Sequence, residues 1–189
     1  MNLPNPFVDG VNVCGYLRAE IGLGGAARGY VAALKAAGIP VALNDVTDIM
    51  VGLPGDVELP GEAQETNPYR VNLIVAPAHN HEHIVQRVGE AYFEDRYNIG
   101  VWFWELGELP EEQRRIFPEY DEIWAGSTFI ADTLRSVAPV PVVTISPAST
   151  TRAVGDRERG RARLDAETTS SSSSSSISGR CRSARTRWR

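Results

Sequence analysis

Cysteine is almost missing from this sequence: Cys14 lies in an apolar run, Cys181 lies near the carboxyl end, and no C-x-x-C pair occurs. That excludes the disulfide framework of small secreted domains and predicts a reducing, cytoplasmic setting. Long apolar runs are missing too. No stretch reaches the roughly 18 apolar residues of a membrane-spanning helix, and the opening MNLPNPFVDG has no basic segment leading into an apolar one. The sequence therefore predicts neither a transmembrane segment nor a secretory signal, and leaves only peripheral contact with a membrane surface open. No internal repeat of solenoid length is found.

What is present divides into two compositions. Residues 1–150 hold 9 Lys and Arg against 20 Asp and Glu, a net of −11, whereas residues 151–189 hold 10 Arg against 4 Asp and Glu, a net of +6. The second segment has no Phe, Tyr, Met or Lys and contains an unbroken serine run over residues 170–176. Such a composition buries too little apolar surface to offset the entropy of ordering, so residues 151–189 are expected to be a disordered tail. Residues 1–150 are of the size of one ordinary domain, and 42% apolar with 23% charged residues overall is ordinary for a globular chain. Because the body is acidic, a nucleic-acid role would rest on the tail alone. Apart from Trp188 that tail lacks the aromatic interleaving of single-strand binders, which argues against it.

Short apolar runs alternate with helical periodicity through the body. Strands are predicted over residues 11–16, 40–43, 71–76, 97–104, 121–125 and 140–145, and helices over 24–37, 84–93, 111–117 and from Ser127 onward. The first helix buries Ala27, Tyr30, Val31 and Leu34; the last buries Ile130, Thr133, Leu134 and Val137, with Ser127 as its N-cap. Residues 46–69 form a long loop with three prolines and three glycines. The alternation predicts an α/β, Rossmann-like domain with a mostly parallel sheet of about six strands, covered on both faces. In such sheets ligands bind outside the carboxyl ends of the strands, which nominates the loops 17–25, 77–83, 105–109 and 126–128.

Each loop carries candidate chemistry. Gly22, Gly24 and Gly25 open the first helix, where glycine lets a ligand approach the backbone and unpaired amides attract an anion such as a diphosphate. The same letters satisfy G-x-G-x-x-A, and Asp45 follows 23 residues after Gly22, as in a dinucleotide fingerprint, although residues 17–21 intervene between strand and glycine. His79, His81 and His83 alternate beside Glu82. This suggests either metal ligation or, in a loop that need not converge, a single acid–base or substrate-contacting group, for which His79, nearest the strand end, is the choice. Glu105 ends the fourth strand, where a carboxylate could accept hydrogen bonds from sugar hydroxyls; Trp102 and Trp104 share one face and read as core. Ser127 and Thr128 either cap their helix or hold phosphate oxygens.

The segments NVCGYLRAEIGLGGAARGYVAALKAAGIPV, RYNIGVWFWELGELPEE and DEIWAGSTFIADTLRSVAPVPVV, in that order, resemble the amino-terminal, acceptor-side half of bacterial GT-B-fold glycosyltransferases of the retaining, glycosyltransferase-4-like branch. The likeness runs from about Val11 to Ile145. It implies transfer of a sugar from a nucleotide-sugar to a glycan or lipid-linked acceptor, in a cleft between two Rossmann-like domains, with no separate cofactor and no obligatory metal. It also implies that the first glycine loop, here Gly22, Gly24 and Gly25, closes over the donor diphosphate. A donor-binding domain would follow residue 150, but here the sequence turns to Arg, Ser and Thr. Phenylalanine codons of the form TTC read one base out of register become the serine codon TCT, so a lost reading frame between Ser146 and Arg152 is expected, together with inactivity of this chain alone. Two alternatives stand beside this: a non-catalytic module pairing with a separate donor-domain partner, and an NAD-dependent oxidoreductase.

Overall fold

Six apolar runs pair into one all-parallel sheet. The computed structural model describes residues 10–50, 57–59, 61–148 and 157–163, and the chain divides into two compact units, Met1–Thr150 and Thr151–Arg189. In the first, the strands are β1 (Val11–Gly15), β2 (Val41–Asp45), β3 (Val71–Val75), β4 (Tyr97–Trp102), β5 (Glu122–Ala125) and β6 (Val142–Thr144). They lie side by side in the order β2-β1-β3-β4-β5-β6. Four helices connect them: α1 (Gly22–Ala36), α2 (His81–Val88), α3 (Glu111–Arg114) and α4 (Thr128–Arg135). The architecture is the Rossmann-like α/β domain that the alternating pattern predicts.

Strand alternation divides the core in two. Cys14, Tyr16, Ile74, Trp102, Ile123 and Ala125 face Ile84 of α2 and Ala131 and Leu134 of α4 on one side of the sheet. Val11, Val13, Leu73, Val75, Ile99 and Val101 face Ala27, Tyr30 and Val31 of α1 on the other. The chain runs one way from β1 to β2 and the other way from β3 onward, so helices of one crossover hand fall on opposite faces. The strand order reverses between β1 and β3, and this is the position at which open sheets of this kind bind ligands.

The long segment between β2 and β3 is not featureless. It opens with a 3-10 turn, Thr47–Ile49, and returns along the outer edge of β2, where Leu43 and Ala63 form a parallel bridge and the Gln64 N–H donates to the Leu43 carbonyl at 2.7 Å. Asn44 Nδ2 adds bonds to the carbonyls of Gln64 and Thr66 at 2.7 and 2.9 Å. Counting that bridge as a vestigial strand, the chain order across the sheet becomes 3-2-1-4-5-6-7, which extends the dinucleotide-binding order by one strand. It also covers an edge that would otherwise offer unpaired amides to another chain.

The predicted strand over 97–104 ends at Trp102, and the predicted helix over 111–117 stops at Arg114 with a separate 3-10 turn, Phe117–Glu119, after it; two further elements differ. The predicted helix over 84–93 starts earlier, at His81, and stops at Val88, because Gly89 takes φ +86° and a separate 3-10 turn, Glu90–Tyr92, follows. Glycine adopts that left-handed conformation without a Cβ penalty, which periodicity alone does not register. Within the predicted tail, residues 157–163 are helical (α5, Arg157–Arg163); the rest of the tail lies outside the described residues.

Candidate functional site

The carboxyl rim of the sheet is built around the turn that follows β1. The Leu17 N–H donates to the Gly15 carbonyl and the Ala19 N–H to that of Tyr16, at 2.9 and 3.1 Å. Arg28 Nη1 donates to the carbonyls of Leu17 and Ala19 at 2.9 and 3.0 Å. From the neighbouring strand end, Thr47 Oγ1 accepts the Arg18 N–H at 3.1 Å and itself donates to Asp45 Oδ1 at 2.6 Å. Asp45, the acidic member of the dinucleotide-like pattern, is thereby engaged in holding the loop, and Arg18 Nε lies 3.5 Å from its other oxygen. Across the reversal point Asn80 Nδ2 donates to the buried Tyr16 hydroxyl at 2.7 Å, linking the loops that follow β1 and β3.

On this fixed turn stands the start of α1. Its N-cap is Ile21, in extended conformation, with no side-chain cap and no acidic residue in the first turn. The first helical bond is donated by Gly25 N–H to the Ile21 carbonyl at 2.9 Å. The N–H groups of Gly22, Leu23 and Gly24 therefore precede the helical ladder and have no partner among the described residues. The three glycines differ in role. Gly22 and Gly25 are exposed, and a Cβ on either would meet nothing within 4 Å. Gly24 is buried, and a Cβ there would press on the Ala19 carbonyl and come within 2.6 Å of the Tyr16 carbonyl. It is glycine because the turn packs against it. Gly25, with its amide engaged, contributes open space.

The other nominated residues lie along the same rim. His79 is exposed in the 3-10 turn Ala78–Asn80 and lines a pocket of about 160 Å³ with Glu82 and, from α3, Glu112 and Gln113. Trp104 is half-buried against the same core cluster as Trp102, and its Nε1 donates to the Glu108 carbonyl at 2.8 Å. With Leu106, Glu111 and Arg114 it lines a second rim cleft of about 470 Å³. Glu105 sits between two of these lining residues, yet it is exposed and three residues beyond the end of β4, outside that cleft. Ser127 caps α4, its Oγ accepting the Ile130 N–H at 3.3 Å, with Thr128 exposed as the first helical residue. From β1 to β5 is three strand spacings, about 14 Å, so the Gly22 and Ser127 loops are too far apart to hold one diphosphate together.

The histidine motif separates. His79 and His83 are exposed, whereas His81 is 6% exposed, with Nδ1 3.1 Å from the Tyr120 hydroxyl and its ring edge-on to Phe93 and Tyr120. Burial lowers its pKa, against the pull of Glu119 and Glu82. No three His, Cys, Asp or Glu side chains converge as a metal site among the described residues. Beneath the rim, burial favours the protonated forms of one thiol and two phenols. Burial, reinforced by the Asp45 carboxylate, pushes the Cys14 thiol up to about 12. Burial likewise raises Tyr16 to about 12 and Tyr120 well above the usual phenol range. Neither family models nor curated proteins provide a match to the chain. Among the described residues no helix is long and apolar enough to cross a membrane.

Proposed function

We propose that residues 1–150 are the acceptor-side domain of a glycosyltransferase that moves a sugar from a nucleotide-sugar to a glycan or lipid-linked acceptor. The observation that carries this reading is the start of α1: three unpartnered amides, two open glycines and no first-turn carboxylate, set on a braced turn beside the strand-order reversal. Backbone amides and the helix dipole favour an anion there, by roughly 0.3–1 kcal/mol when exposed and about 2 when partly buried. A donor pyrophosphate has the charge and the slenderness to use that space. His79, in its pocket with Glu82 and Glu112, is the candidate for contact with the acceptor hydroxyl. The likeness that supplies the reaction class covers one half of a two-domain enzyme, so sugar transfer by this chain alone is expected to be absent.

Calorimetric titration with UDP, GDP and ADP, and separately with NAD, tests the reading. A nucleoside diphosphate should bind, and Gly25→Asp should weaken it by about tenfold or more, because a carboxylate then faces the phosphates. The substitution lies in open space and places an acid in the first turn of a helix, so the unfolding midpoint should not fall. Preferential binding of NAD would favour the oxidoreductase instead, and equal binding by wild type and Gly25→Asp would contradict the assignment.

A further inference from the structure

We propose that the rim cleft lined by Trp104, on the far side of α3 from the His79 pocket, binds a neutral pyranose ring of a glycan. α3 divides the two spaces. Successive residues of a helix advance by about 100°, so Glu112, Gln113 and Ile116, which line the His79 pocket, and Pro110, Glu111 and Arg114, which line the cleft, fall on opposite faces of this turn. The cleft holds about 470 Å³, within the range of small-ligand pockets, and no residue of α1 lines it. The inference goes beyond the acceptor contact assigned to His79 and does not depend on the transfer reading.

Trp104 supplies the platform. It is half-buried and packed on the core cluster beneath the rim, and its Nε1–H, the one polar group of an indole, donates to the Glu108 carbonyl at 2.8 Å. That bond closes the 104–108 loop and holds the ring, so what Trp104 offers a ligand is carbon surface. Leu106 of the same loop, 63% exposed, extends the apolar lining. Polar groups join it from α3. Arg114 Nε donates to the carbonyl of the buried Leu109 at 2.8 Å, and its Nη1 lies 3.6 Å from Glu111. A guanidinium has five N–H groups, so this anchored one offers further donors to the cleft, and Glu108 and Glu111 offer acceptors. A pyranose is built to the same plan. Its ring face carries C–H bonds whose slightly positive hydrogens suit the negative face of an indole, and its rim carries hydroxyls that both donate and accept. With arginine set between carboxylates the lining has no field of one sign to select an anion, and no three His, Cys, Asp or Glu side chains converge to hold a metal among the described residues.

The test titrates the isotopically labelled full chain with the methyl pyranosides of glucose, galactose, mannose and N-acetylglucosamine, and reads the Trp104 indole N–H resonance, assigned by its loss in Trp104→Phe. Sorbitol, which has hydroxyls but no ring face, and cyclohexanemethanol, which has a ring but no vicinal hydroxyls, are the controls. At least one pyranoside should bind in the millimolar range and shift that resonance, and neither control should. Trp104→Ala should weaken the binding about fivefold or more, and Trp104→Phe, which keeps an aromatic face, about twofold. Because Trp104 packs on the core, Leu106→Asn and Glu111→Gln, both at exposed positions, test the cleft without disturbing it; each should weaken binding about twofold or more, and unfolding midpoints show that every variant is folded. UDP is read at the Gly22–Gly24 amides and the sugars at the Trp104 indole, so failure of one claim leaves the other measurable. Absence of a Trp104 shift with all four sugars at tens of millimolar, a control that binds as tightly as the pyranosides, or binding unchanged in folded Trp104→Ala and in Leu106→Asn would overturn the proposal.

Discussion

At the scale of single residues, three glycines within four consecutive positions carry three different duties, and a pattern match treats them alike. Gly22 leaves its amide unspent, Gly24 makes room for two carbonyls, and Gly25 opens space beside an amide already in use. The histidines repeat the lesson. Alternation in sequence suggests a shared task, but the start of α2 at His81 turns that ring into the core and leaves its neighbours in solvent. A consequence for pH follows. Because burial lowers the His81 pKa, the unfolded chain takes up this proton first as pH falls below about 6.5, the ordinary histidine value. Stability then declines on acidification through the window between the unfolded and the lower folded pKa, and is unaffected by this group above it. Thermal unfolding across pH 5–8 should therefore show a smaller loss on the acid side for His81→Phe than for the parent protein, other carboxylates being common to both. An unchanged difference between the two at every pH would contradict the burial account.

At the scale of elements, the apolar runs made the strands and the 3.6-residue spacing made α1 and α4 legible, because burial on one or both faces leaves a periodic mark. Ala27, Tyr30 and Val31 are buried as the spacing requires, and Ser127 caps its helix. The features that escaped have no periodic mark. Asn12, Asn72 and Asn98 occupy one register across three strands and pass hydrogen bonds along a buried row: Asn12 Nδ2 to Asn72 Oδ1 and Asn72 Nδ2 to Asn98 Oδ1, both 2.9 Å. Only the register reveals it, although one asparagine at the second position of β1 and of β3 and β4 was a signal available to a strand alignment. Such a row, satisfied throughout, fixes strand order as well as adding stability. The seat of α1 gives a direct check at this scale. Gly24→Ala should destabilise the fold by about 1–3 kcal/mol, since backbone carbonyls must move. Gly25→Ala, one residue on, should stabilise it by about 0.5–1 kcal/mol through helix propensity. Urea unfolding of the two variants measures both, and a common sign would show that the turn does not press on Gly24 as described.

At the scale of the whole molecule, the sheet order places four loops on one rim, yet the candidate site occupies only part of it. The β1 and β3 loops are tied by Tyr16 and Asn80, whereas Ser127 is committed to its helix and Glu105 lines neither of the two rim clefts. Strand ends could nominate these residues, because topology fixes which end is functional; which side chains were already spent on caps and turns depended on contacts no sequence window contains. The proposed site on the rim is thus made of backbone, not side chain, and amide resonances report on it directly. In a titration of the isotopically labelled chain with UDP, the amides of Gly22, Leu23 and Gly24 should shift most, with Arg18 and Asn80 following as the flanking turns respond. Shifts confined to other parts of the chain, or none at saturating nucleotide, would contradict the account.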